Sequence, residues 1–337
     1  MKLHPEDLEW ARRRWAGEPT FPSIRSWQLA AIHREAKRFR RWVARHPLAH
    51  NAITLVLFLF LFASDAWALH GLPRIWTFVP LSWGALVAGA VAGGLHGFLV
   101  CGITTLSVHE GAAHDLLVSG QGAWARRLRT LTSGACRLFF ADPEHYAAAH
   151  LAHHRHLGDE GDGSFTNHVR WARLASSLAP LAPLRDASDY FPWRPQEATR
   201  SRRLSLLLGS AVMVGHGAVL VVTQGPLYAA VSVCLIGGWL GYALDRVRES
   251  TEHLDMPLDP VNGTRELGLG AAGLILGGGP WGQPCHLTHH LAPGLPWYLQ
   301  LRLHFTVRKV LDEEQRRALF LRPVVGFPAL LVRLRRS

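Results

Sequence analysis

The amino-acid sequence predicts an all-α integral membrane protein with four transmembrane helices and a dinuclear metal site at their cytosolic end. Three observations predict this class. Four apolar stretches approach the length needed to cross a bilayer, about 20 residues. The cations are sorted to one side of them. Nine of the 20 histidines fall beside the apolar stretches in metal-ligand spacing. Composition agrees: 18% of the 337 residues are charged and 48% are hydrophobic, against about 25% charged in an ordinary soluble chain. Abundant Leu, Val, Ile and Phe exclude intrinsic disorder. Four scattered cysteines (Cys101, Cys136, Cys234, Cys285) exclude a disulfide scaffold, and without a CxxC there is no cysteine zinc motif.

Residues 1–47 form a basic arm, with RRRW at 12–15 and KRFRRWVAR at 37–45. It lacks an apolar h-region, so no cleavable signal peptide is expected. Its juxtamembrane position favours anionic lipid, and no nucleic-acid partner is expected. A membrane domain covers 48–317, with spans at about 49–69, 76–106, 204–224 and 226–244. The second and fourth are rich in glycine, which suits close helix–helix approach in lipid. Of 36 Lys and Arg, 11 precede the first span, 12 lie between the second and third, and 12 follow the fourth. Arg74 alone falls in a connector on the other side. The positive-inside rule then places both termini and the long middle loop in the cytoplasm. Residues 170–183 and 189–193 read as surface-lying pieces with aromatic anchors, and 318–337 as an interfacial C-terminal segment.

The histidines come in four groups on the expected cytoplasmic side. His109 and His114 sit in HEGAAHD, His150, His153 and His154 in HLAHHRH, His253 in RESTEH, and His286, His289 and His290 in HLTHHL. At about 100° per residue, helical positions i, i+3 and i+4 share one arc. Each HxxHH trio can therefore face one place, and His156 points away. His109 and His114 are about 140° apart on an ideal helix, so they need a local bulge, a helix end or different metals. HEGAAH is not HExxH, so a zincin-type metalloprotease fails on register. Nine imidazoles are too many for one structural zinc and suit two metals with open positions.

The ordered set HX4H, HxxHH, EH and HxxHH, with apolar spans between and around it, resembles the membrane fatty acid desaturase/hydroxylase superfamily over roughly 50–305. The resemblance implies a cap of cytosolic helices holding a di-iron centre over a four-span bundle, an acyl substrate in an apolar tunnel, and O2 as oxidant. It carries over nine ligands: His109, His114, His150, His153, His154, His253, His286, His289 and His290. Two departures stand out. The first box reads HEGAAHD, and Glu249 occupies a position where some members place Asn. Glu249, Glu252, Asp115, Asp159 and Asp162 are candidates to stabilise the site or fix imidazole tautomers.

The expected cofactors are two Fe2+ ions, with zinc as a substitute in a purified sample. The expected reaction is O2-dependent desaturation of a fatty acyl lipid. Hydroxylation, carotenoid ketolation or hydroxylation, and decarboxylation to a terminal alkene are alternatives in the same family. A zinc-dependent membrane hydrolase is the alternative of another class. No HPGG marks a fused cytochrome b5, so electrons must come from a separate carrier. A basic face would steer an acidic ferredoxin, rubredoxin or cytochrome b5-like donor. Gly93, Gly94 and His96 are candidates to line the acyl pocket. His96 and His216, inside spans, are read as helix–helix hydrogen bonds or tunnel residues. His304 has no ligand spacing, and Cys285 is read as packing.

Overall fold

The computed structural model describes residues 21–72, 81–157, 162, 199–253, 256, 257, 259, 261–281 and 283–321. Among these the chain is helical, and its only β pairing is an isolated parallel bridge between Glu266 and Phe320. Helix α1 (Ser26–Arg45) precedes the first long apolar helix, α2 (Pro47–His70). Helix α3 (Leu81–Thr105) continues without a break as a π-helix, Leu106–Ala113. Two shorter helices follow, α4 (Ala123–Gly134) and α5 (Pro143–His156). Next come α6 (Arg200–Gln224) and α7 (Pro226–His253), the latter with a π stretch at Ala230–Gly237. Helices α8 (Ala271–Leu276), α9 (His286–Leu291), α10 (Trp297–Val310) and α11 (Glu313–Leu319) complete the described chain.

Four of these helices are long and apolar enough to cross a membrane: α2, α3 with its π extension, α6 and α7. The 24 residues of α2 reach about 36 Å, more than the hydrocarbon thickness of about 30 Å. The protein is a membrane protein built on this bundle. The expected start of the second span at 76 lies outside the described residues. So do the pieces at 12–15, 170–183 and 189–193 and most of 318–337. The fourth span runs on past its expected end at 244 to His253, because DRVRESTEH continues the helix.

Small residues let α3 and α7 touch backbone to backbone. A Cβ on Gly97 would stand 2.6 Å from the Gly237 carbonyl oxygen, and one on Gly93 would stand 2.7 Å from that of Ser232. Gly93, expected near the acyl pocket, is therefore a helix contact. Tyr228 on α7 is buried and donates its hydroxyl to the Leu69 carbonyl of α2 (2.8 Å). At the other end a cap core gathers Ile32 and Ala36 of α1, Leu287 and Leu291 of α9, Leu303 and Val307 of α10, and Leu319 of α11. The basic stretch 37–45 thus belongs to a helix whose apolar side is buried in this cap.

Candidate metal centre

The first pair of histidines depends on the π-helix. A π turn closes i to i+5, so residues five apart come one above the other. His114 N–H donates to the His109 carbonyl (3.3 Å), and the two rings lie 5.3 Å apart. The HX4H spacing that an α-helix would splay is closed here by local widening. Helix α5 starts at Pro143 and is capped by Asp142, whose carboxylate accepts from the N–H groups of Glu144 (3.1 Å) and His145 (3.4 Å). That start fixes the register on which His150, His153 and His154 point inward. Helix α9 supplies His286, His289 and His290, and the last residue of α7 supplies His253.

These elements meet in two quartets. His109, His114, His150 and His289 form one; His153, His253, His286 and His290 form the other. Within each, one ligand atom per residue lies within 4.8 Å of the rest. His154 stands between them. Its Nε2 is 3.0 Å from both His150 Nε2 and His289 Nε2, and its ring centre is 4.4 Å from that of His290. All nine histidines of the sequence reading therefore converge. Both α5 and α9 contribute to both quartets.

The donor set fits metal cations on chemical grounds. An imidazole nitrogen carries either one proton or one lone pair. His150 Nε2 faces both His114 Nε2 and His154 Nε2 at 3.0 Å, and His286 Nε2 faces His253 (3.0 Å) and His290 (3.2 Å). One proton cannot serve two such neighbours well. The buried Nε2 atoms of His109 and His153 have no hydrogen-bond partner among the described residues. Protonation is also opposed. Burial pushes His114 down to about 4 and His154 to about 3, and holds His150, His286, His289 and His290 well below the usual imidazole range. Mutual repulsion among the rings adds to this for all of these except His114, where burial is the cause. What converges is a set of imidazole nitrogens, six of whose rings are held against protonation, and imidazole lone pairs suit a divalent transition metal.

The outer partners differ in kind. Asp162 is buried and accepts from His153 Nδ1 (2.8 Å), leaving Nε2 to carry the lone pair. His253 Nδ1 donates to the Gly263 carbonyl (3.1 Å). Glu252 Oε2 lies 3.5 Å from His286 Nε2 and accepts from Arg248 (2.7 Å). Glu249 pairs with Arg246 (2.9 Å) and Arg248 (3.6 Å). The Asp115 carboxylate is 60% exposed and lies 2.5 Å from the Arg129 guanidinium. Asp159 lies outside the described residues.

Several contributors had no signal in the histidine spacing. Glu110 accepts from Trp297 N–H (3.1 Å) and from the Gln300 amide (3.0 Å), and that amide nitrogen is 3.3 Å from His289 Nδ1. Tyr146 stacks on His150 with ring centres 5.4 Å apart. His304 is not isolated: with Glu266 and Cys285 it makes a third buried group. Away from the centre, His96 Nδ1 donates to Asp65 (2.6 Å) and His216 pairs with His70 (2.8 Å), fastening α3 and α6 to α2.

One family model, described as fatty acid desaturase, matches residues 81–320, most of the chain and all four histidine groups. Comparison with curated proteins and with solved structures gives no match.

Proposed function

Because the chain belongs to the fatty acid desaturase family and is thus a desaturase/hydroxylase-type membrane oxidoreductase, we propose that it introduces a double bond into a fatty acyl chain at a di-iron centre, with O2 as oxidant. The observation that carries the reading is the double quartet of imidazoles with His154 between them. His109, His114, His150 and His289 would hold one iron; His153, His253, His286 and His290 would hold the other. When bound, such an iron pair supplies the O2-dependent chemistry that breaks an unactivated C–H bond, which acid–base side chains cannot do. The overall change balances as loss of two hydrogens from adjacent carbons, with O2 taken to two waters by two donor electrons and two protons.

The protein's own groups prepare that chemistry. Burial opposes protonation of His114, His150, His154, His286, His289 and His290, and neutral ligands leave the charge of the metals uncancelled. Asp162 holds the His153 ring in the tautomer that offers Nε2 inward. The apolar bundle beneath is the source of acyl contacts. Cation sorting supports a cytoplasmic site and termini. The same basic surface supports an acidic, separate electron donor of the ferredoxin, rubredoxin or cytochrome b5 kind.

The test is reconstitution with acyl lipids, a donor system and O2, followed by mass spectrometry of the lipids and metal analysis. The expected result is a lipid lighter by two hydrogens and two irons per chain. A product heavier by one oxygen would move the reading to hydroxylation. Turnover that persists without O2 would replace it with a hydrolase.

A further inference from the structure

The helix of the fourth histidine group, α9, has only six residues, yet it gives His289 to one quartet and His286 and His290 to the other. Rotation of this helix about its axis changes both metal sites at once. Its N-cap residue, Cys285, makes no side-chain capping bond. The cap comes from far along the fold. Glu266 Oε2 accepts from Thr288 N–H (3.0 Å), and Glu266 Oε1 accepts from the Thr288 hydroxyl (2.8 Å). On a helix of about 100° per residue, Thr288 lies about 150° from the mean direction of the three histidines. Glu266 therefore grips the back of the helix at two points.

Glu266 is itself anchored twice more. Its Oε1 accepts from His304 Nδ1 of α10 (2.5 Å). Its backbone bridges to the strand-like end of α11, with Glu266 N–H to Leu319 O and Leu321 N–H to Glu266 O, both 2.8 Å. Glu266 and Thr288 are fully buried and His304 nearly so. Three protein donors, the Thr288 N–H and hydroxyl and His304 Nδ1, already engage the carboxylate, so the Glu266, Cys285 and His304 group is a hydrogen-bonded node, unlike the two quartets.

We infer that Glu266 is a positioning residue that acts through Thr288 to set the rotation of α9, and so the placement of both metals relative to each other. The inference rests on the metal-pair reading above. Full-length protein is purified in detergent, loaded with iron, and compared as wild type, Glu266→Gln, Thr288→Val, Thr288→Ser and the Glu266→Gln/Thr288→Val double variant. The readouts are iron per chain, the rate of iron loss to a chelator, and the Mössbauer signal of a magnetically coupled pair. Glu266→Gln and Thr288→Val should each lose iron about tenfold faster, the scale expected for an outer partner of a ligand, and lose coupling in parallel. The double variant should be no worse than the worse single one, and Thr288→Ser should behave as wild type. Thr288→Val, nearly isosteric, carries the test if Glu266→Gln does not fold. Unchanged iron retention and coupling in the single variants would overturn the inference while leaving the metal pair standing. Additive losses would overturn it too, as would a third metal lost on Cys285→Ser. A wild type without a metal pair would remove both readings.

Discussion

Two regions of this molecule pair histidines away from open solvent, and they differ in what each nitrogen faces. Within the bundle, each contact is settled by one proton: His96 donates to Asp65, and one of His70 and His216 donates to the other. At the cap, single nitrogens face two neighbours at about equal distance, as His154 does with His150 and His289. The cap rings are also the more deeply buried, six of the nine fully so, whereas His70, His96 and His216 are half-buried. What tells them apart chemically is the number of lone pairs meeting at one point. The bundle histidines fasten helices; the cap histidines leave room for a positive charge that no proton supplies.

The sharpest way to break this comparison is to remove its central ring. His154→Ala should lower both iron content and lipid oxidation by about 100-fold or more, beyond the 10–100-fold typical of outer partners. Metal analysis and product mass spectrometry read it, and retained iron would show that His154 is a bystander. Asp162→Asn tests the next layer. It removes the carboxylate that accepts from His153, and iron retention against a chelator should weaken by about tenfold.

A change of pH acts more mildly. His114 and His154, held down to about 4 and about 3 from 6.5, bind protons in the unfolded chain before they do in the folded one. Their stabilising contribution is therefore present above pH 6.5 and is lost as pH falls through their depressed values. Thermal unfolding of the metal-free protein at about pH 7 and about pH 5 should show lower stability at the acidic value. Equal stability would mean that the rings hydrate freely. The smallest effect belongs to the bundle. His216→Phe should cost roughly 0.6–2 kcal/mol, the worth of an interhelical hydrogen bond in a membrane protein, with iron content unchanged. Iron lost from this variant would erase the distinction between the regions.

Much of this was legible along the chain because its causes are local. Apolar length marks α2, α6 and α7, and the i, i+3, i+4 arc puts His150, His153 and His154 on one side of α5. The need for a bulge between His109 and His114 was also readable, although the π-helix that meets it was one of several solutions. Glu266 and Gln300 were not readable. Their partners lie 22 and 190 positions away, and neither residue type announces a role. His304 looked idle for the same reason, since its acceptor arrives from 38 positions upstream.

In α3 and α7 the helix runs unbroken from the span to a histidine of the cap, which limits the length changes the protein can tolerate. Ordinary spans absorb an extra or missing residue by tilting, at modest cost. Here a single deletion between the membrane and His109 or His253 would turn the imidazole by about 100° and shift it by about 1.5 Å. Helices α2 and α6 end in the connectors after His70 and Gln224 and carry none of the nine rings. Insertions and deletions should therefore be admitted in one pair of spans and refused in the other, which makes α3 and α7 molecular rulers as much as anchors.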